Sequence, residues 1–418
     1  MADTSRHLFE AFGVELEYMI VDEKSLDVLP VTDRLIEAEC GHIESEIVVG
    51  DTAWSNELVL HVVELKTAEP AKSLSGLAQT FQSHVQRING HLQKLHGRLL
   101  PSAMHPWMNP DLEMQLWPHE YSDVYEAFNA IFDCRGHGWA NLQSVHLNLP
   151  FCGDEEFGRL HAAIRLILPL LPGLAASSPV MNGQLTGMLD NRLDVYRRNA
   201  RRVPSVCGKV IPEQAFSQAD YQRLIFEPMY ADIAPLDPGG VLQDEFLNAR
   251  GAIARFGRGS IEIRVIDIQE CPAADLAVLQ ATVAVLKNLV AERWSSLEQQ
   301  QQMSVERLST ILLSAVEHAD GAVVVDADYL KLFGMSEATA SINDVWKHLV
   351  SECQPETDAL TAPALQTLLD HGPLSRRLTN SLASKPSRSE LMDVYQQLAD
   401  CLHCGRMFLP ACANFPGA

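Results

Sequence analysis

Basic residues are scarce in this chain. Lys and Arg number 32 against 54 Asp and Glu, a formal net charge of −22. That deficit argues against a nucleic-acid partner, which needs a basic surface. It leaves ATP open, because divalent metal can bridge acidic side chains to phosphate. Long apolar runs are lacking too. The most apolar stretch, residues 166–181, is broken by Pro169, Pro172, Gly173 and Pro179 and is too short to span a bilayer. Residues 1–6 are polar, so no signal-peptide pattern opens the sequence. The nine cysteines have no regular spacing and read as reduced thiols of a cytoplasmic protein. Cys401 and Cys404 form a lone C-x-x-C with no second pair, which suits a helical core position better than zinc. No GxxxxGK[ST] loop is present, and no GxGxxG follows a strand. Any nucleotide phosphates must be held by metal and arginine.

The 418 residues allow one large domain with an appendage, or two domains. Residues 12–22 read F-G-V-E-L-E-Y-M-I-V-D, a strand by its branched and aromatic content. Alternation puts Glu15 and Glu17 on one face, about 6 to 7 Å apart, with Val14, Leu16 and Tyr18 facing a core. Two adjacent carboxylates mean either a solvated edge or a cation between them. Residues 54–66 are again strand-like and carry Glu57 and Glu64. An odd separation sends those two to opposite faces of a flat strand, so convergence requires a bulge or a turn. Residues 142–150 form a strand with His146 and Asn148 on one face. Residues 259–267 form another, with Glu262 beside Arg264.

Helical periodicity covers residues 35–43, 71–99, 121–132 and 154–171. Residues 101–117 are irregular and could cover a pocket. Residues 182–202 hold Arg192, Arg197, Arg198, Arg201 and Arg202, which is either an anion site or a solvated helix face. Residues 226–240 read as a Pro/Gly loop. From 273 onward the pattern is helical, and the polar tract 299–302 marks a boundary. The expected division is residues 1–298 as the catalytic unit and 299–418 as a helical region packed on it.

Five carboxylates and one imidazole, from Glu15, Glu17, Glu57, Glu64, His146 and Glu262, could hold two or three hard cations. Magnesium or manganese suits that oxygen-rich set better than zinc or iron. The ordered motifs G-V-E-L-E-Y, N-E-L-V-L-H-V-V-E-L-K-T, V-H-L-N-L-P, T-G-M-L-D-N-R and I-E-I-R-V-I-D resemble the glutamate–cysteine ligase family. The type 2 carboxylate–amine ligases are the nearest branch, over roughly residues 8–290. The resemblance implies an α+β glutamine synthetase-type fold: a curved, mainly antiparallel sheet forming a funnel, backed by helices. It implies that Glu17, Glu57 and Glu64 hold a metal near the acceptor carboxylate. Glu15, His146 and Glu262 would hold a metal that grips ATP. Arg264 would stabilise the transferred phosphoryl group, making Arg264 and Glu262 the catalytic pair. Arg192 and Asn148 would contact substrate. The sequence departs from the family pattern where Leu16 separates the first two acids, and where V-H-L-N-L replaces H-V-H-V-G.

The implied reaction is ATP-dependent joining of a carboxylate, the γ-carboxylate of glutamate, to cysteine or another amine, as in glutathione biosynthesis. Two rival classes remain: a phosphotransferase acting on a guanidino-type nitrogen, and a silent metabolite-binding homologue. The expected partners are small molecules (ATP, a carboxylate and an amine), with no nucleic acid or membrane and a homodimer left open.

Overall fold

The alternation along residues 13–22 builds the centre of the molecule. In the computed structural model, which describes residues 6–409, Gly13–Asp22 forms strand β1. Val14, Leu16, Tyr18 and Ile20 are fully buried on its inner face. Each such aliphatic side chain contributes about 1.5–3 kcal/mol through burial. The other main strands are β2 (Glu46–Val49), β3 (Thr52–Asn56), β4 (Val62–Thr67), β5 (Gly97–Leu100), β6 (Ser144–Pro150), β7 (Ala252–Arg255) and β8 (Ser260–Asp267). They form one antiparallel sheet in the order β2-β3-β4-β1-β6-β8-β7, with β5 pairing the far end of β1. The fold thus mixes α and β structure around an antiparallel, unclosed sheet.

Helices cover the inner face. α1 (Leu77–Gln93) lays Phe81, Val85, Ile88 and Leu92 on the sheet as one buried stripe. α2 (Gly153–Ile167) and α3 (Pro272–Val290) lie beside it. α3 is long and apolar enough to cross a membrane, but 72% of its most apolar window is buried inside the molecule. It is the core helix of this layer.

The outer face is divided. Near the start of β1 it carries Glu15 and Glu17. Further along, Met19 and Val21 join Val62 and Leu100 in a second apolar cluster. That cluster is closed by Leu374 and Leu378 of α4 (Leu374–Ser381) and by Leu391, Tyr395 and Leu398 of α5 (Arg388–Cys404). Cys401 is half-buried and Cys404 exposed at the end of α5. Other C-terminal residues, including Leu308, Trp346 and Leu365, share the main core with the sheet.

Several elements differ from the sequence expectation. The helix expected over 71–99 spans only Leu77–Gln93. Its last residues become β5 because Gly97 can approach β1 closely: a Cβ there would lie 2.8 Å from Leu29 Cδ2 and 3.3 Å from the Val21 carbonyl. The loop expected over 226–240 contains the helix Glu227–Ile233, with Pro228 tolerated in its first turn. Residues 54–66 are not one strand. Asn56 ends β3, the chain turns, and Val62 begins β4.

Candidate active site

The turn between β3 and β4 resolves the odd spacing of Glu57 and Glu64. Glu57 sits just past β3 and Glu64 inside β4, so both reach the outer face near β1. Strand register places the others. Glu17 lies opposite Glu64, Glu15 opposite both Lys66 and His146, and Glu262 opposite Asn148. All five carboxylates and the imidazole therefore gather in one place. His146 Nδ1 is 2.8 Å from Glu15 Oε2 and 3.9 Å from Glu262 Oε1, while its Nε2 is 3.6 Å from Glu17 Oε1. Two triads, Glu15–His146–Glu262 and Glu17–Glu64–His146, each keep one donor atom per residue within 4.8 Å of the others.

A register shift between Ile263 and Ile266 makes a bulge in β8. Bulges re-aim side chains. Arg264, inside it, turns its guanidinium to the cluster, with Nε 3.0 Å from Glu262 Oε1. The contact is an ion pair, because Nε lacks hydrogen-bond alignment. Arg255 on β7 reaches the other Glu262 oxygen at 3.2 Å.

The electrostatics follow from crowding. Burial pushes the Glu57 carboxyl well above its ordinary range, and the charges of Glu17 and Glu64 push it further. Burial, with Glu15 next to it, raises Glu64 to about 7 despite Lys66. Burial also works against Glu15, but the hydrogen bond and charge of His146 outweigh it and hold that carboxyl at about 2. Burial opposes the charged form of His146, yet Glu17 and Glu15 raise it to about 9. Protons and cationic side chains thus offset the crowded carboxylates. The donor set itself, carboxylate oxygens with one imidazole, fits hard divalent cations.

Ser144, Ser55 and Lys66 are supporting residues that escaped the sequence reading. Ser144 donates to Glu17 Oε2 from both its backbone N, at 2.7 Å, and its Oγ, at 2.9 Å. Ser55 donates to Glu64 Oε1 at 2.8 Å. Lys66 bridges Glu64 and Glu46 at 2.8 and 2.7 Å. Asn148 donates to Glu15 Oε1 at 3.0 Å, so its amide orients a carboxylate. Gly13 makes room for it, since a Cβ there would be 2.9 Å from Asn148 Cβ.

The arginine cluster separates into two kinds. Arg197 and Arg198 pair with Asp194 on their own helix, the solvated-face alternative. Arg202 donates to the Ile131 carbonyl at 2.6 Å, and Arg201 lines a different groove. Only Arg192 turns to the site. It is buried, its Nε is held by Asp267, and its Nη2 has no hydrogen-bond partner among the described residues. Arg192, Arg264 and Arg255 line a pocket of about 520 Å³ with Glu17, Glu57 and His146. Asp267 is fixed in turn by the Ser177 backbone N at 2.8 Å and Ser178 Oγ at 3.1 Å.

An uncharacterized protein of Archaeoglobus fulgidus is 29% identical over 401 residues, spanning 95% of this chain and all of its own. A Nocardioides sp. protein provisionally named glutamate–cysteine ligase 2-1 is 24% identical over 286 residues, covering 68% of this chain and 69% of its own. Among solved structures, the glutamate–cysteine ligase of Francisella tularensis in complex with AMP superposes with a TM-score of 0.58 at 11% identity. The match covers 98% of this chain and 91% of that one. A bifunctional glutathione synthetase from Pasteurella multocida gives 0.52 at 12% identity, covering 95% of this chain and 53% of that one. At such identities these likenesses establish the fold alone. A family model described as glutamate–cysteine ligase family 2 matches residues 11–396, and the chain belongs to that family.

Proposed function

We propose that the chain is an ATP-dependent carboxylate–amine ligase. It phosphorylates a carboxylate, the γ-carboxylate of glutamate, and passes the acyl group to an amine. The observation that carries this reading is the convergence of Glu15, Glu17, Glu57, Glu64 and Glu262 on His146, with Arg264 re-aimed by a bulge to the same spot. Membership of a ligase family supports it, as does a fold neighbour that binds AMP. The sheet would form the funnel of a glutamine synthetase-type fold. Residues 1–298 would be the catalytic unit, and 299–418 a helical region bracing it.

Glu17, Glu57 and Glu64 would hold one magnesium or manganese ion, and Glu15, His146 and Glu262 another. Such cations offset phosphate charge and the charge that develops in phosphoryl transfer. His146 ligates only as the neutral imidazole, so it must give up the proton that Glu15 and Glu17 favour. The chain's own residues do the rest. Arg264 donates to the transferring phosphoryl group. The spare Nη2 of Arg192 receives the α-carboxylate of the substrate. Ser144, Ser55 and Asn148 hold Glu17, Glu64 and Glu15 in place.

The substrate carboxylate oxygen attacks the γ-phosphorus, the bond to the bridging oxygen breaks, and ADP leaves. The amine nitrogen then bonds to the acyl carbon, the acyl C–O bond breaks, and phosphate leaves with its electron pair. The surplus protons on nitrogen pass to phosphate and water. A cytoplasmic setting suits this chemistry, and no disulfide links any of the described cysteines.

Hydroxylamine tests the reading, because it traps an acyl phosphate as a hydroxamate. Incubation with ATP, glutamate and magnesium should yield glutamyl hydroxamate, ADP and phosphate in equal amounts. A stable phosphorylated product without inorganic phosphate would identify a phosphotransferase. No ADP release at all would identify a silent homologue.

A further inference from the structure

The pocket beside the carboxylates has a wall that the ligase reading does not use. Leu58, Val59, Phe128, Trp139, Leu142 and Phe246 line it. The aromatic rings are already packed against one another: Phe128 and Trp139 have centroids 5.5 Å apart, and Phe128 and Phe246 are 6.2 Å apart. Phe132 stacks on Trp139 from behind at 5.3 Å. The wall is therefore preformed.

The cations of the same pocket are few. Among the described residues its lining includes Arg192, Arg255 and Arg264. Arg255 and Arg264 both face Glu262, at the phosphoryl end. Arg192 is tied to Asp267 and the Arg264 carbonyl, which leaves Nη2 for one anion. The α-carboxylate of glutamate would consume that donor. An amino-acid acceptor such as cysteine brings a second carboxylate, and this one would meet Val, Leu, Phe and Trp with no cation to spare. A buried unpaired carboxylate is strongly disfavoured.

We propose that the acceptor is a monoamine with an aliphatic or aromatic body and no carboxylate, seated against Trp139 and Phe128. The proposal rests on the ligase reading above and narrows it. The nitrogen of such an amine forms the amide bond as phosphate leaves, and its body takes the place of water on the apolar wall.

Matched pairs that differ only in the carboxylate test it on the intact protein with ATP, glutamate and magnesium: phenethylamine against phenylalanine, propylamine against 2-aminobutyrate, cysteamine against cysteine. The expected result is a kcat/KM at least tenfold higher for each amine than for its carboxylated partner, with phenethylamine the best substrate. Trp139→Ala should raise the KM for phenethylamine at least tenfold, with a smaller effect on the KM for ATP. Preference for cysteine or phenylalanine overturns the proposal, while hydroxamate formation in the same preparation leaves the ligase reading standing. A Trp139→Ala effect confined to ATP puts the adenine ring on this wall and overturns it too. Absence of hydroxamate removes both.

Discussion

Replacing Glu262 with Gln keeps the shape of the side chain and removes its charge. In the folded protein both Glu262 oxygens face guanidinium groups, Arg264 Nε at 3.0 Å and Arg255 Nε at 3.2 Å. Glu262 is nearly fully buried, whereas the two arginine side chains keep 26% and 18% exposure. Breaking a buried pair by removing one partner costs about 3–5 kcal/mol, and the partial exposure of the arginines sets the expectation at the low end, about 3 kcal/mol. The rate should suffer separately. Losing one preorganised charged group at a phosphoryl-transfer site is worth on the order of 10²–10³ in kcat, about 2.7–4 kcal/mol. Urea unfolding reads the first number and ADP release with glutamate and hydroxylamine reads the second. Circular dichroism confirms that the variant is folded under assay conditions. Turnover within threefold of the parent would refute the catalytic placement of Glu262, whatever happens to stability.

Two further perturbations probe groups outside the carboxylate cluster. Asp267→Asn leaves the buried Arg192 guanidinium without its anion, so stability should fall by about 3–5 kcal/mol. The KM for glutamate should rise at least tenfold, and an unchanged KM would show that Arg192 does not receive the substrate. His61, at the start of the segment entering β4, is pushed down to about 4 by burial, against the hydrogen bond from its ring to the Ala140 carbonyl. An unfolded histidine titrates near 6.5. Between those values the unfolded chain binds a proton that the folded chain refuses, so stability falls as pH falls, by up to about 1.4 kcal/mol per pH unit. His61→Gln should flatten the dependence of urea-unfolding free energy on pH between 6.5 and 4 by one proton, and an unchanged slope would contradict the assignment.

How far the sequence predicted these groups depended on distance along the chain. Glu15, Glu17, His146 and Glu262 were legible because each interrupts an alternating apolar strand, and alternation is a local signal. Glu57 and Glu64 were legible as ligand types only. Their convergence needs a turn at residues 57–61, which E-L-V-L-H does not advertise through Gly, Pro or Asn. Arg264 was read as a neighbour of Glu262 by simple alternation, whereas its aim comes from a bulge that depends on pairing with β6. Lys66, Ser144, Ser55 and Asp267 were missed because they act through hydrogen bonds to residues brought close only by strand register. Short polar side chains leave no periodic trace of such partnerships. The over-extended helix at 71–99 has the same cause. Capture of Gly97–Leu100 by β1 is a tertiary event that overrides local pattern.

Crowding carboxylates together is electrostatically expensive, and that expense is itself testable. A carboxyl whose folded titration lies above its unfolded one takes up a proton on folding, which costs stability at any pH above its ordinary range. Glu57 is such a group: burial first, then Glu17 and Glu64, raise it, and His146 and Arg264 only partly offset them. Glu57→Gln removes the ionisable proton and keeps the volume. With a chelator present, this variant should be more stable than the parent at pH 8, and the advantage should shrink toward pH 5, as the pH approaches the titration of the unfolded carboxyl. Magnesium should reverse the order, because a ligand that binds only the folded parent stabilises it by mass action. Thermal melts of both proteins at the two pH values, with chelator and with magnesium, give the comparison. A Gln variant less stable than the parent in chelator at pH 8 would mean that Glu57 is a structural carboxylate with a partner of its own. The convergence on His146 would then be packing without a cation to serve.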